Sequence, residues 1–163
     1  MKTKTLITSA VLTAIVCLAT MVVKIPLAFG YVNLGDCFVL LSAFLLPMPY
    51  CLFPAAIGSC LADVFSGYAV YAPATFIIKG LMALSAYFIF KSLKQIKPLW
   101  AYLISAVVAE IIMVLGYFVF EAFLYGFAAA IVNVPFNSIQ GLVGILTAVV
   151  SVNILKKIKF FNL

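Results

Sequence analysis

Long apolar segments alternate with short interruptions of proline, glycine or charge along the whole chain. Six of these segments have the length of a helix, and the interruptions set their ends. We predict helices over Thr5–Val23, Asp36–Leu46, Tyr50–Phe65, Tyr71–Phe90, Trp100–Tyr125 and from Pro135 onward. Residues 27–36 are predicted to form a loop and residues 127–134 a turn. The second helix is short for a hydrocarbon layer of about 30 Å, so either the loop extends it or it enters from a recessed mouth.

Composition places this pattern in a membrane. Hydrophobic residues make up 67% of the chain and charged residues 9%, and the mean hydropathy is +1.32. The first apolar run continues to Val23 without a small-residue cleavage site, so we predict a retained helix rather than a removed signal peptide. The sequence therefore predicts an all-α integral membrane protein in which residues 1–163 form a single domain, a bundle of six transmembrane helices.

The basic residues give this bundle an orientation. All ten are lysines, and eight of them lie in three clusters at segment ends: Lys2 and Lys4; Lys91, Lys94 and Lys97; Lys156, Lys157 and Lys159. Such clusters are typical of cytoplasmic loops. With six spans, both the N-terminus and the C-terminus are predicted to be cytoplasmic, and the 27–36 loop and the 127–134 turn to lie outside.

Several classes of function lack the residues they need. The chain has no histidine, and its four cysteines form no CxxC pair, which argues against zinc, haem and histidine-based catalysis. Without arginine for base contacts, we expect no nucleic-acid partner. No P-loop motif is present to hold ATP phosphates, so the protein must either borrow energy from a partner or work passively. We expect no catalytic residues, no cofactor and no metal.

Polar side chains are concentrated between residues 120 and 140, where two apolar segments meet. The set is Glu121, Tyr125, Asn133, Asn137 and Gln140. An acid or amide among lipid-embedded helices costs a few kcal/mol unless it faces a partner, a cavity or a ligand. We therefore predict that this region supplies half of a small-molecule site, which Tyr31–Asp36 and Tyr68–Lys79 close from the other side.

Helical periodicity brings polar side chains onto shared faces. The sets are Asn137, Gln140, Gly144, Thr147 and Ser151 on the sixth helix, and Glu110, Tyr117 and Glu121 on the fifth. Amides on such a stripe often only hydrogen-bond a neighbouring helix. Inter-helix hydrogen bonding in a protein of unknown role therefore stays an alternative to a ligand site.

Lys79 lies near the middle of the fourth apolar segment, too deep for its ammonium to reach water. Its face of the helix also carries Tyr71, Thr75, Met82 and Ala86. A buried lysine needs an anion, which is either a ligand oxygen or one of the acids Asp63, Glu110 and Glu121. The sequence leaves both interpretations open.

Two further features have a structural and a functional interpretation. Asp36 is placed to cap the N-terminus of the second helix, an alternative to ligand contact, whereas Asn33 has no such structural role. Ala10 and Ala14 lie one helical turn apart and permit close approach of another helix, either within this protein or from a partner.

Three segments carry a resemblance to a known family: GYVNLGDCFVLLSAFLLP, IGSCLADVFSGYAVYAPATFIIKGLMA and YFVFEAFLYGFAAAIVNVPFNSIQGLVG. Over nearly its whole length the chain resembles the S components, the substrate-binding membrane subunits of energy-coupling factor (ECF) transporters. Within them it is similar to the group for riboflavin, pyridoxine or hydroxymethylpyrimidine. The resemblance implies a six-helix, non-enzymatic subunit of the bacterial plasma membrane that captures a vitamin at the outer face.

The resemblance also implies partners and a site. An S component docks on a T subunit driven by two ATPase subunits, and its docking motif of two alanines four residues apart is matched by Ala10 and Ala14. The family site lies among helices 4, 5 and 6, under the first loop and the turn between helices 5 and 6. Here that points to Asn33, Tyr71, Thr75, Lys79, Glu121, Tyr125, Asn137 and Gln140.

Aromatic side chains around an acid and amides suit a flat heterocycle that bears hydroxyl or amino groups. Tyr71, Tyr117 or Tyr125 would stack on such a ring, and Glu121 would accept a hydrogen bond from it. The short chain and the resemblance favour pyridoxine or hydroxymethylpyrimidine, with riboflavin next.

Two other functions remain as alternatives. A self-sufficient secondary transporter or channel would use Glu110, Glu121 and Lys79 as a proton or ion relay. Against it, the sequence shows no internal repeat and no pair of broken helices in matching halves. A membrane enzyme ranks behind, because no nucleophile motif or metal-ligand cluster is present.

Overall fold

The computed structural model describes residues 2–26, 31–93, 95 and 97–157, and most of them are helical. The helices are α1 (Lys2–Val22), α2 (Gly35–Leu45), α3 (Phe53–Phe65), α4 (Ala72–Ser92), α5 (Pro98–Tyr125) and α6 (Phe127–Lys157). In α3, the first part, Phe53–Gly58, has the wider turn of a π-helix and Ser59–Phe65 is an ordinary α-helix. The predicted helical membrane protein is confirmed at this level.

Four of the helices are long and apolar enough to cross a membrane: α1, α4, α5 and α6. The two others, α2 and α3, are apolar but shorter. Proline supports two helix starts, because Pro73 and Pro98 lie in first turns, where the missing N–H would have no helical partner. The number of membrane crossings and the cytoplasmic position of both termini stay predictions.

The short helix α2 lies at the centre of the bundle. It contacts α1, α3, α4, α5 and α6, and of its residues only Phe38 and Leu45 are not fully buried. Val39, Leu40 and Leu41 of α2 belong to the main hydrophobic core together with Met82 of α4 and Met113 of α5. Because protein surrounds α2, this helix does not need to match the thickness of the bilayer by itself.

A close contact joins α1 to α3. A Cβ atom on Gly58 would lie 2.7 Å from the backbone carbonyl oxygen of Thr13 and 2.9 Å from the Cβ atom of Val16. Glycine is therefore needed at position 58 for the two backbones to approach this closely.

The predicted loop at residues 27–36 is wrong in part. Lys24–Pro26 forms strand β1, which pairs antiparallel with strand β2, Tyr31–Asn33; residues 27–30 lie outside the described part. Backbone pairing gives this segment a defined geometry. Strand β2, which carries Tyr31 and Asn33, contacts α1 and α6.

The predicted turn at residues 127–134 is also wrong. α6 begins at Phe127, and Pro135 lies inside it rather than at its start. Gly126 makes the connection from α5 alone, with φ of +92°, a conformation that other residues rarely adopt. Because one glycine is sufficient for the turn, the residues after it are free to continue as helix, and Asn133 becomes a buried residue of α6.

Candidate functional site

A polar cavity lies at the end of the bundle where α1 and α5 end and α4 and α6 begin. Of the nine residues predicted from the sequence to bind substrate, eight line it: Asn33, Tyr71, Thr75, Lys79, Tyr117, Glu121, Asn137 and Gln140. Four further lining residues were not among those nine: Thr20, Tyr31, Ser59 and Asp63. Of these, Tyr31 belongs to the Tyr31–Asp36 segment that was predicted to close the site. The structure therefore brings these side chains together around one space, and their contact with a ligand stays a prediction.

Tyr125 is the predicted site residue that does not line the cavity. Its side chain is 41% exposed near the end of α5, and its ring centroid lies 6.3 Å from that of Tyr71. It is therefore placed beside an aromatic residue of the wall rather than in the cavity.

The deepest polar contact of the site is an ion pair between Lys79 on α4 and Asp36 on α2. Both side chains are buried. Asp36 is not among the three acids that the sequence suggested as partners for this lysine. Its other oxygen, Oδ2, accepts a hydrogen bond of 2.5 Å from the Gln140 side-chain amide. The ammonium of Lys79 also lies 5.5 Å from the centre of the Tyr117 ring, within range of a cation–π interaction.

The side chain of Asn33, rather than that of Asp36, satisfies a backbone N–H in the first turn of α2. The Asn33 side-chain oxygen accepts a hydrogen bond of 2.8 Å from the backbone N–H of Gly35. The predicted N-cap role of Asp36 is wrong, because Leu34 occupies the cap position and its side chain makes no capping bond. The backbone N–H of Asn33 donates to Gln140 Oε1 over 2.9 Å, so Gln140 ties the hairpin to the Asp36–Lys79 pair.

Two carboxylates of the wall are each held by a tyrosine. The Tyr31 hydroxyl donates to Asp63 Oδ1 over 2.5 Å, and the Tyr71 hydroxyl donates to Glu121 Oε1 over 3.4 Å. Burial and the neighbouring Asp63 carboxylate raise the pKa of Tyr31 well above its usual value. Tyr31 therefore remains a protonated donor at neutral pH.

Several buried polar atoms of the wall have no hydrogen-bond partner among the described residues. They are Thr20 Oγ1, Ser59 Oγ, Asp63 Oδ2, Glu121 Oε2 and Asn137 Nδ2. Buried polar groups in folded proteins are normally paired, because an unpaired one costs about 1–3 kcal/mol. Their concentration on one cavity wall indicates a place where a polar ligand or water completes the bonding.

Glu110 does not line the cavity but lies close to Asp36 of the ion pair. It is 4% exposed, and neither of its carboxyl oxygens has a hydrogen-bond partner in the described part of the chain. A Cβ atom on Gly144 would lie 3.0 Å from Glu110 Oε1 and 2.9 Å from Asp36 Cβ. Glu110 and Asp36 thus both pack against the same glycine of α6.

The two alanines predicted to meet a partner lie elsewhere on the molecule. Ala10 and Ala14 are exposed on α1, whereas Ser9, Val16 and Thr20 of the same helix are buried toward the core. The alanine face therefore packs against no helix of this chain in the described structure, and the alternative of internal close packing is not what the structure shows.

The cavity wall carries polar and aromatic side chains. Within residues 2–26, 31–93, 95 and 97–157, no three His, Cys, Asp or Glu side chains gather as metal ligands would. The cavity offers aromatic rings, amides, hydroxyls and carboxylates instead. Fold and site together define a small helical membrane protein with a polar cavity at one end of its bundle.

Comparisons with known proteins identify the family. The model of the family described as "ECF-type riboflavin transporter, S component" matches residues 1–157. An uncharacterized protein of Pyrococcus woesei, named for its position in a gap 3' region, is 33% identical over 133 residues, which are 80% of this chain and 87% of that protein. The chain therefore belongs to the ECF-type riboflavin transporter S component family, which is a family of transporter subunits rather than enzymes.

A solved structure shows the same fold. It is reported as "Structure and mechanism of the S component of a bacterial ECF transporter" and superposes with a TM-score of 0.80 at 24% sequence identity. The match covers 98% of this chain and 99% of that one. This likeness confirms the helical S component fold, while the six membrane crossings and the orientation of the termini stay predictions.

Proposed function

We propose that this chain captures a small heterocyclic vitamin or vitamin precursor in the cavity formed by Asn33, Lys79, Glu121, Asn137 and Gln140. The observation that carries the proposal is the set of unpartnered buried polar atoms on the cavity wall. Membership in an S component family supplies the biological context.

The surroundings of the cavity suit a flat ring. Tyr71 lies within 5.2 Å of Phe120 and 6.4 Å of Tyr117, measured between ring centroids, so aromatic faces are available for stacking. The free volume is about 30 Å³, room for about two water molecules. A ring must therefore displace side chains of the wall, which favours the smaller pyridoxine or hydroxymethylpyrimidine, with riboflavin, named in the family description, as the next candidate.

Delivery of the cargo requires a partner under this proposal. The chain, a single domain over 1–163, sits in a bacterial plasma membrane with both termini cytoplasmic and docks through Ala10 and Ala14 on a T subunit driven by two ATPase subunits. The exposure of the two alanines on α1 supports this docking face, because small residues let two membrane helices approach closely.

Two experiments test the function. Mass spectrometry of small molecules that co-purify with the protein is expected to find a vitamin-like heterocycle. Uptake of that compound into proteoliposomes is expected only when the T subunit, both ATPase subunits and ATP are present. Uptake by this protein alone that collapses with an uncoupler would instead establish a self-sufficient secondary transporter.

A further inference from the structure

Two buried carboxylates on different helices are half-satisfied in the same way. Asp63 on α3 accepts from Tyr31 with one oxygen, and Glu121 on α5 accepts from Tyr71 with one oxygen. The second oxygen of each, Asp63 Oδ2 and Glu121 Oε2, is buried without a hydrogen-bond partner in the described structure. The side chains are 4% and 3% exposed, so bulk water does not satisfy them.

The charge on the wall is not balanced. Among the described residues that line the cavity, Lys79 is the one base, facing two acids. The ammonium of Lys79 is already bound by Asp36. A positive charge neutralised in this way offers little attraction to a ligand anion. Among the described residues, neither Asp63 nor Glu121 is part of an ion pair.

The other unpartnered atoms of the wall indicate which further hydrogen-bonding groups the ligand must carry. Asn137 Nδ2 can only donate, and the hydroxyls of Thr20 and Ser59 can donate or accept. A ligand that satisfies the wall therefore presents hydrogen-bond donors to two carboxylates and at least one acceptor to the Asn137 amide.

Resting on the proposed function, we infer that the cavity selects an unphosphorylated, donor-rich heterocycle that carries a protonated aminomethyl group, with Asp63 and Glu121 as the residues that determine this specificity. A protonated amine forms charge-assisted hydrogen bonds with a carboxylate, and these are about twice as strong as neutral ones. A phosphate monoester would bring negative charge against two buried acids with no free cation to meet it.

The test is calorimetric binding to the detergent-purified protein with probes that differ in charge. The probes are pyridoxine, pyridoxamine, pyridoxamine 5′-phosphate, 4-amino-5-hydroxymethyl-2-methylpyrimidine and the phosphate ester of that pyrimidine. We expect pyridoxamine to bind at least about tenfold more tightly than pyridoxine, as one charged hydrogen bond requires. Each phosphorylated probe should bind at least about tenfold more weakly than its parent.

Variants assign the effect to the two acids. Asp63→Asn and Glu121→Gln should reduce the preference for pyridoxamine over pyridoxine to less than about threefold, while Asn153→Ala, at an exposed position of α6, should keep the wild-type ratio. The wild-type comparison needs no variant, so it decides the question even if Asp63→Asn does not fold.

The outcomes separate the inference from the function on which it rests. Binding of any probe without an advantage for the amine, or with equal affinity for the phosphate esters, overturns the inference and leaves vitamin capture intact. Binding of none of the probes, with no heterocycle co-purifying, refutes the proposed function and the inference with it.

Discussion

Lys79 of α4 and Asp36 of α2 form an ion pair in the interior of a membrane protein, 43 residues apart in sequence. The side chains of Lys79 and Asp36 are 3% and 0% exposed. The pair joins the central helix to the cavity wall, because Lys79 also lines the cavity and Gln140 bonds Asp36 from α6.

Breaking this pair from one side should be costly. Lys79→Met leaves a buried carboxylate without its cation, and we expect a loss of about 3–5 kcal/mol in unfolding free energy. Combining it with Asp36→Asn removes the orphaned charge and should recover a large part of that loss. Thermal unfolding in detergent measures both, and a double variant less stable than either single variant would contradict the assignment.

Glu110 should respond in the opposite way to Asp36. Its carboxyl group has no hydrogen-bond partner among the described residues, so Glu110→Gln keeps the shape and removes no bond. We expect an unfolding temperature equal to or above that of the wild type, whereas Asp36→Asn should lower it, because Asp36 bonds both Lys79 and Gln140. Equal damage from the two substitutions would show that Glu110 is charged and paired in the native protein.

Substitutions in the wall should weaken binding without unfolding the protein. Glu121→Gln replaces a carboxylate oxygen with an amide nitrogen, and Asn137→Ala removes the unpartnered side-chain amide. Each substitution should weaken vitamin binding about tenfold or more. Calorimetry on detergent-purified protein measures the affinity, and Asn153→Ala serves as the matched exposed control. Wild-type affinity in both wall variants would refute this cavity as the site.

Gly144 should tolerate no side chain. A Cβ atom there would meet Asp36 Cβ at 2.9 Å and Glu110 Oε1 at 3.0 Å, so Gly144→Ala should cost about 1–3 kcal/mol of stability. Gly80 of α4 is the control, because its nearest neighbour would be Ala56 Cβ at 3.7 Å. Gly80→Ala should leave stability unchanged or raise it by up to about 1 kcal/mol through helix propensity. Similar unfolding temperatures for the two variants would show that α6 has room to move.

The alanine face of α1 should affect partner docking only. Ala10→Leu and Ala14→Leu place bulk on an exposed surface, so folding and vitamin binding should be retained while co-purification with the T subunit falls at least about tenfold. Ala128→Leu, also exposed but on α6, should leave the complex intact. Retained co-purification of both α1 variants would exclude this face as the docking surface.

Much of the cavity follows from helical periodicity. Tyr71, Thr75 and Lys79 share one face of α4 because they are spaced four residues apart, and all three are buried on the same side, as the sequence predicted. Asn137 and Gln140 lie together on α6 for the same reason, and both are buried. Where a helix is long and regular, its own geometry decides which side chains meet.

The contacts that sequence analysis missed depend on packing between distant segments. Asp36 meets Lys79 because α2 lies at the centre of the bundle, and the apolar sequence of α2 does not reveal that position. The sequence instead suggested a cap, because Asp36 lies near the start of a helix. Tyr31 reaches Asp63 through the β-hairpin, whose pairing has only three residues per strand and little sequence signal. The sequence did carry one signal for Asp63 as a site residue, because an acid within an apolar segment is expected to face a partner, a cavity or a ligand.

α1 carries two surfaces at once. Ala10 and Ala14 form an exposed face of this helix, while Thr20, on its buried side, forms part of the cavity wall. Along one uninterrupted helix, Thr20 lies about 15 Å from Ala10 and about 9 Å from Ala14. Under the proposed docking, a partner that tilts α1 at its alanine face would also move Thr20 in the cavity wall, because one continuous helix joins the two places.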